Sequence, residues 1–129
     1  VLATDNHGQP YTSLMAFSVT EDLQSFILMT ERGRLKYENL MANPRVAIMI
    51  DNRENLGSDL EETVAVTAQG LAEEIAGDAS DEWRALCLER HPALQAFADS
   101  PSCALIRIKI TSYVIVRCFQ EVIEWRITT

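Results

Sequence analysis

Lysine and histidine are scarce in this chain, and each scarcity argues against a class of function. Only Lys36 and Lys109 are lysines, and the formal net charge of the 129 residues is -8 at pH 7. Binding to a nucleic-acid backbone depends on clustered lysine and arginine side chains, so we expect no nucleic-acid partner. The two histidines, His7 and His91, lie far apart in the sequence. The sequence therefore predicts no metal site.

Cysteines are also few, and long apolar runs are missing. Cys87, Cys103 and Cys118 are odd in number and widely spaced, which argues against a disulfide framework. Their apolar neighbours lead us to interpret them as buried, inert thiols. No run approaches the roughly 18 apolar residues that cross a bilayer, and no signal peptide is visible. We therefore expect a cytoplasmic protein with no membrane partner.

Length and composition indicate one domain. A chain of 129 residues with 47% hydrophobic residues can bury a core of its own, and we predict a single domain over residues 1–129. The chain starts in an apolar run at Val1 rather than at a methionine. We therefore expect an N-terminal piece outside the sequence shown.

Apolar patterning predicts about six strands. The turn residues at 5–10 predict an opening hairpin, and alternation predicts a strand over residues 11–19 followed by another over 25–30. The almost continuously apolar segment 45–50 predicts a central strand covered on both faces. Gly70 predicts a bulge or a close backbone approach within a strand. Further strands are expected over residues 63–74, 102–110, 113–118 and 122–129.

Two or three short helices complete the predicted β-barrel-like domain. One is expected over residues 35–41, where Pro44 follows. Ser80 is predicted to be the N-cap of a second helix, and a third short helix is expected through Leu94 and Phe97. The acidic segment 54–62 is interpreted as a solvated loop.

Basic side chains gather where a strand is followed by a helix. Arg32, Arg34 and Lys36 lie there, although the molecule as a whole is acidic. A helix N-terminus offers free amides and a positive partial charge, which suit a phosphate group. Gly33 leaves room for a close approach to the backbone, and Thr30 adds a hydroxyl. The pattern fits the binding of a phosphomonoester.

A plainer interpretation of the same cations stays open at this point. Their side chains could be solvated, or they could pair with Glu31 and Glu38 on the protein surface. Surface ion pairs of this kind are common and contribute little. The residues alone therefore do not decide between an anion site and a solvated surface.

The same segment belongs to a longer pattern that extends over almost the whole chain. It comprises Asp-x-x-Gly-x-Pro-Tyr at 5–11, Ser-Leu at 13–14, Thr-x-x-Gly-x-x-Lys-Tyr-x-Asn-Leu at 30–40 and Ala-Asn-Pro-Arg-Val-Ala at 42–47. This pattern resembles the FMN-binding split barrels related to pyridoxamine 5'-phosphate oxidase. The resemblance implies a mainly β fold, a six-stranded Greek-key split β-barrel with two or three short helices. It also implies a homodimer with FMN in clefts at the subunit interface.

The resemblance assigns candidate cofactor-binding residues. Lys36 matches the family's phosphate-binding lysine, Thr30 the hydroxyl at the end of the third strand, and residues 13–15 the strand that faces the flavin ring. Where many relatives have Gly-Ser-Arg-Lys, this chain has Gly-Arg-Leu-Lys, so Arg32 or Arg34 must supply the second cation. The residues expected to bind the cofactor are Ser13, Leu14, Met15, Thr30, Arg32, Arg34, Lys36, Phe119 and Trp125.

The function implied by the resemblance is less specific than the fold. Phe119 and Trp125 lie near the C-terminus, where relatives bring the partner subunit against the flavin, although both could be ordinary core or dimer aromatics. No histidine follows His91, whereas genuine pyridoxamine phosphate oxidases share an Arg-x-His pair there, so we do not expect pyridoxal phosphate synthesis. We expect an FMN-dependent oxidoreductase of unknown substrate, with no catalytic residue identified. Two alternatives stay open: a non-catalytic flavin- or haem-binding protein like the haem-utilisation relatives, and an interaction module.

Overall fold

The computed structural model describes residues 1–52, 63–118 and 121–127. The predicted acidic loop at 54–62 and the aromatic residue Phe119 therefore lie outside the described residues. Eight strands and three helices are present in the described part of the chain. The strands are β1 (Leu2–Asn6), β2 (Gln9–Ser13), β3 (Ser18–Val19), β4 (Ser25–Glu31), β5 (Arg45–Asp51), β6 (Val64–Ile75), β7 (Cys103–Arg117) and β8 (Glu121–Arg126); the helices are α1 (Leu35–Ala42), α2 (Ser80–Arg90) and α3 (Gln95–Ala98).

All strands pair antiparallel in one sheet, which confirms the predicted mainly β fold. Their order is β2-β1-β5-β6-β7-β4-β3, and β8 pairs with β7 outside this path. The long strand β7 pairs with β4 through residues 103–109 and with β8 through residues 112–117. One strand therefore connects the region around β4 with the region around β8.

The predicted opening hairpin is confirmed. The turn between β1 and β2 consists of His7 and Gly8, both with positive φ angles of 51° and 91°. Two successive left-handed residues make the tight turn whose twist suits a hairpin. The Gly8 amide donates to Oδ1 of Asp5 at 3.0 Å. The asparagine, glycine and proline signals at 5–10 were therefore interpreted correctly.

Two predicted strand boundaries are wrong. The expected strand over residues 11–19 ends at Ser13, and pairing resumes only at β3. Met15 and Phe17 still pack against the core, so the alternation in this segment reflects burial without continuous pairing. Conversely, β7 is one strand where two were predicted. Its polar residues Thr111 and Ser112 donate hydrogen bonds to Gln69 on β6 instead of forming a turn.

Strand β5 is central, as predicted, but only one of its faces is covered. It lies between β1 and β6. Val46 and Ile48 on one face are buried, whereas Met49 on the other face is 47% exposed in a single copy of the chain. The prediction of burial on both faces is therefore wrong for one copy.

Gly70 fits the prediction of a bulge and a close approach. The register between β6 and β7 shifts between Gln69 and Gly70. A Cβ atom built on Gly70 would lie 2.5 Å from the carbonyl oxygen of Lys109. Since atoms of these types do not approach so closely, only glycine fits this position without movement of β7.

The helices lie where they were predicted, with one difference at a helix end. Ser80 was predicted to accept a hydrogen bond as an N-cap, but its hydroxyl donates to the carbonyl of Gly77 at 2.7 Å. The chain enters α2 directly from a 3₁₀ turn at Gly77–Ala79, so Ser80 is already helical. None of the helices in the described residues combines the length and the apolar character that crossing a membrane requires.

Strand β4 is buried on both faces and separates two clusters of the core. Phe26 and Leu28 belong to the larger cluster, which the sheet and α1 surround. Ile27 and Met29 belong to the smaller one, which α2 and α3 cover. Because successive side chains of a strand point to opposite faces, both clusters fix the same strand. The C-terminal end of β4 is therefore held firmly.

The cysteine prediction is correct for two residues and wrong for the third. Cys87 and Cys103 are buried in the smaller cluster, where burial raises the pKa of both thiols. Cys118 is exposed, because it lies at the end of β7 with a φ angle of 51°, where the chain turns towards β8. All three thiols are free.

Candidate functional site

The candidate site is built where β4 ends and α1 begins. Thr30 is buried near the end of β4. Gly33, with a φ angle of 88°, then reverses the chain, a conformation that favours glycine. Arg34 has extended backbone and directly precedes α1, and its carbonyl accepts a hydrogen bond from the Glu38 amide at 3.1 Å. The segment between the strand and the helix is thereby short and well defined.

A cavity of about 490 Å³ opens at this segment. It brings together Ser13, Thr30, Arg34 and Lys36, which are four of the residues expected to bind a cofactor. Apolar side chains also line it, among them Phe97 from α3. The full lining is Tyr11, Ser13, Met29, Thr30, Glu31, Arg34, Leu35, Lys36 and Phe97. The lining therefore combines cationic, hydroxyl and apolar side chains.

Lys36 is the cation in this cavity that lacks a counterion within the described part of the chain. Its side chain is half-buried, and no carboxylate among residues 1–52, 63–118 and 121–127 forms an ion pair with it. Burial lowers the pKa of Lys36, and the positive charge of Arg34 lowers it further. Both effects disfavour the ammonium form, and no carboxylate of the described residues offsets them. An anion in the cavity would supply the missing charge.

Arg34 stands beside Lys36 but is partly neutralised. Its Nε atom lies 3.1 Å from Oε2 of Glu31, and both side chains are largely exposed. Exposed pairs of this kind contribute little free energy, so the guanidinium group can turn to another anion at small cost. Arg34 can therefore serve as the second cation, although less strongly than Lys36.

Ser13 carries a polar atom that fits the same interpretation. Its Oγ atom is buried and has no hydrogen-bond partner among the described residues. An unpaired buried hydroxyl costs free energy, and such atoms are rare in folded proteins. A phosphate oxygen in the cavity would provide the acceptor that this hydroxyl lacks. The donor set around the cavity therefore fits a phosphate group.

Arg32 does not line the cavity. Its guanidinium group donates to Oε2 of Glu74 at 2.5 Å and to the carbonyl of Pro101 at 3.2 Å. Its backbone amide also donates to the Ser102 carbonyl. The hydrogen bond to Glu74 raises the pKa of Arg32. The structure therefore places the two candidate arginines differently, with Arg34 at the cavity and Arg32 in an ion pair with Glu74 outside the cavity lining.

Three further predicted residues lie outside the cavity lining. Leu14 follows Ser13 and is 86% exposed. Met15 packs against the larger core cluster. Trp125 stacks on Tyr113 with ring centroids 5.4 Å apart. In one copy of the chain, these residues are not gathered around Lys36.

Five residues of the cavity wall were not predicted to bind a cofactor: Tyr11, Met29, Glu31, Leu35 and Phe97. Of these, Glu31 was considered only as a surface partner of the cations. Phe97 reaches the cavity from a helix about sixty positions after Lys36 in the chain. Apolar residues in predicted core segments carry no local signal for a cavity wall, so only the fold reveals them.

The family assignment agrees with the fold and the site. The family model described as "Pyridoxamine 5'-phosphate oxidase" matches residues 1–116. The chain therefore belongs to the pyridoxamine 5'-phosphate oxidase family, and its fold is the split-barrel fold of that family. Among curated proteins, none matches this chain.

Solved structures with the same fold include proteins that bind haem or FAD. A haem-binding protein from Mycobacterium smegmatis has 21% sequence identity and a TM-score of 0.85, over 97% of this chain and 51% of that one. An FAD-binding protein from Mesorhizobium loti has 21% identity and a TM-score of 0.71, over 88% and 79%. HutZ, the haem storage protein from Vibrio cholerae, has 23% identity and a TM-score of 0.70, over 84% and 78%. This chain thus spans about half of the Mycobacterium protein.

Proposed function

We propose that this chain is an FMN-binding flavoprotein whose cavity at the start of α1 receives the phosphate of the cofactor. The observation that carries the proposal is the half-buried Lys36, which lacks a carboxylate partner in the described residues and shares a cavity with the unpartnered hydroxyl of Ser13. Arg34 is the second cation. Thr30, near the end of β4, lines the same cavity as Lys36 and Arg34.

The apolar residues in the cavity lining favour a flavin over a bare phosphate ion. Tyr11, Met29, Leu35 and Phe97 offer apolar contact area next to the cations. Leu14 is an apolar residue exposed beside Ser13, and a flavin ring would cover it. Bound FMN would supply the redox chemistry, while these side chains bind it, orient it and exclude water.

We further propose that the functional unit is a homodimer. Trp125 pairs with Tyr113 on β7, and Thr30 pairs with Ala104 on the same strand. These two positions of β7 are nine residues apart, which corresponds to about 30 Å of strand. Trp125 therefore lies far along the sheet from Thr30, and we propose that it contacts a flavin near Thr30 from a second copy of the chain. The exposed apolar residues of β5, β6 and β8 offer area for such an interface: Met49, Ile50, Val64, Leu71, Val122 and Ile123.

Haem is the alternative ligand, and the cavity supports it less well. Neither histidine lines the cavity. His7 lies in the turn between β1 and β2, and Nε2 of His91 lies 2.8 Å from the carbonyl oxygen of Phe17. A haem in this cavity would therefore lack an imidazole ligand from the same chain. The cationic residues of the lining favour a phosphate group.

We infer an FMN-dependent oxidoreductase with a small-molecule substrate that the cavity does not identify. Three free thiols are consistent with a reducing compartment, so we infer a cytoplasmic location. The test for activity is reduction of the bound flavin by a nicotinamide donor, followed by its reoxidation with candidate acceptors.

A direct binding experiment tests the proposal. The purified protein is titrated with FMN, and separately with haemin, while flavin fluorescence and the visible spectrum are recorded. We expect saturable quenching of FMN fluorescence and competition by excess inorganic phosphate. Binding of haemin with no binding of FMN would favour the alternative. If neither ligand binds, the interaction module becomes the better interpretation.

A further inference from the structure

Glu74 contacts two residues that lie on either side of the cationic segment. Its Oε2 atom accepts a hydrogen bond from Arg32, and its Oε1 atom accepts one from the hydroxyl of Tyr37, both at 2.5 Å. Lys36 and Arg34 lie between Arg32 and Tyr37 in the sequence. We name Arg32, Tyr37 and Glu74 the Glu74 cluster.

The Glu74 cluster is fixed to three parts of the fold. Glu74 belongs to β6, and its side chain is only 19% exposed. Arg32 also contacts the segment before β7 through the carbonyls of Pro101 and Ser102. Tyr37 packs against the larger core cluster. Both ends of segment 33–36 are therefore attached to the sheet through one carboxylate.

The protonation state of Glu74 agrees with this geometry. Burial alone would raise the pKa of Glu74, but hydrogen bonds from Tyr37 and Arg32 outweigh it and lower the pKa overall. The hydrogen bond to Glu74 in turn raises the pKa of Tyr37. At neutral pH the carboxylate is therefore charged, and both of its oxygens accept hydrogen bonds.

We infer that Glu74 is a positioning residue for the phosphate-binding side chains. By fixing Arg32 and Tyr37, it holds the segment between them so that Lys36 and Arg34 face the cavity. Glu74 itself does not line the cavity. The inference rests on the proposed function, because it names FMN as the ligand whose phosphate these cations bind.

The direction in which FMN affinity changes when Glu74 is replaced distinguishes positioning from simple electrostatics. Glu74 carries a negative charge near a site for an anion. By Coulomb's law alone, removal of that charge would tighten the binding of a phosphate. Positioning predicts the opposite, because a loosened segment no longer presents Lys36 and Arg34 together. The two explanations therefore predict changes of opposite direction.

The test compares Glu74→Ala with the matched control Glu73→Ala. Glu73 is the adjacent carboxylate on β6 and pairs with Arg107 at 3.2 Å, so its removal changes the charge equally without touching the Glu74 cluster. Each variant is titrated with FMN and with riboflavin, which lacks the phosphate. We expect Glu74→Ala to weaken FMN binding about tenfold and to leave riboflavin binding unchanged, and Glu73→Ala to change neither. Unchanged or tighter FMN binding, or an equal loss for both ligands, would overturn the inference.

A double-mutant cycle tests whether Glu74 acts through Lys36. If it does, Glu74→Ala should weaken FMN binding much less in a Lys36→Ala background than in the wild-type background. Fully additive losses would contradict the inference. Should Glu74→Ala fail to fold, Tyr37→Phe replaces it, because the ring is kept and only the hydrogen bond is lost. We expect that variant to weaken FMN binding about threefold, and no change would count against the inference.

Amide hydrogen exchange on the ligand-free protein keeps this test separate from the proposed function. We expect faster exchange at amides 34–38 in Glu74→Ala than in Glu73→Ala. Equal exchange in the two variants would refute the positioning role. If the wild-type protein bound no FMN, the proposed function would fail, while the exchange comparison would still show whether Glu74 orders this segment.

Discussion

Arg32 and Lys36 come from the same short segment and carry the same charge, yet their surroundings differ completely. Arg32 bonds to Glu74 and to Pro101 within the fold, whereas Lys36 forms no ion pair within the described residues. A cation that already pairs with a carboxylate of the fold has less to offer a ligand than one without such a partner. Cations that are neighbours in the sequence can therefore differ in whether the fold leaves them available to an anion.

Replacement of Lys36 should produce the largest loss of FMN affinity among the variants proposed here. Lys36→Ala is expected to weaken FMN binding by about 1.5 to 3 kcal/mol, the usual range for a hydrogen bond to a charged group. Fluorescence titration measures the change. The matched control is Lys109→Ala, because Lys109 is the only other lysine and lies exposed on β7. Equal affinities for wild type and Lys36→Ala would remove Lys36 from the site.

The lowered pKa of Lys36 predicts an alkaline limit to FMN binding. An ammonium group binds phosphate only while it is protonated, so affinity should fall as the pH rises through a pKa that lies below 10.5. Lys36→Arg should bind FMN with no such fall, because arginine stays protonated throughout this range. Titrations at several alkaline pH values measure both profiles. The same alkaline fall in the arginine variant would show that another group titrates.

Glu74 should make the stability of the folded protein depend on pH. Because the pKa of Glu74 is lowered below 4.5 in the folded protein, its contribution to stability is present above that value and is lost as the pH falls through the lowered pKa. Glu74→Gln should therefore lose less stability on acidification than the wild type does. Urea denaturation at about pH 7 and about pH 3 measures the difference. Identical losses in the two proteins would contradict a charged Glu74.

Arg34 should matter less than Lys36, since it is exposed and already paired with Glu31. We expect Arg34→Ala to weaken FMN binding about fivefold, with an effect that shrinks at high salt. Titrations at low and high ionic strength measure both features. A loss as large as that of Lys36→Ala would show that the Glu31 pair opens fully when ligand binds.

Ser13 should give the smallest effect on binding. Ser13→Ala removes a donor from the cavity, and we expect FMN affinity to fall by about 0.5 kcal/mol, which is roughly twofold. The free protein should lose no stability, since the hydroxyl has no partner to lose in the described structure. Ser18→Ala is the matched control, a second buried serine that does not line this cavity. Thermal unfolding and titration of both variants check the prediction.

The fold could be predicted from the sequence where signals are local. The hairpin turn at His7 and Gly8, the helix after Gly33 and the bulge at Gly70 each follow from residues that are neighbours in the chain. The errors arise where pairing decides the outcome. Thr111 and Ser112 resemble a turn, but they continue β7 because Gln69 on β6 accepts their hydrogen bonds.

The position of the candidate site could be predicted from the sequence. Which arginine lines the cavity and which one binds Glu74 could not. Thr30, Arg34 and Lys36 do share a cavity, as the strand-to-helix pattern suggested. The partner of Arg32 is 42 positions away in the sequence, and Phe97 comes from a distant helix. Contacts at such separation depend on the whole sheet, so no local pattern distinguishes the arginine that binds Glu74 from the one at the cavity.

The most direct test of the account is the ratio of the affinities of the wild-type protein for FMN and for riboflavin. The two ligands differ only in the phosphate group, which Lys36, Arg34 and Ser13 are proposed to bind. We expect FMN to bind at least about a hundredfold more tightly, as two or three bonds to a charged group would provide. Equal affinities for the two ligands would contradict the proposal that this cavity receives the phosphate.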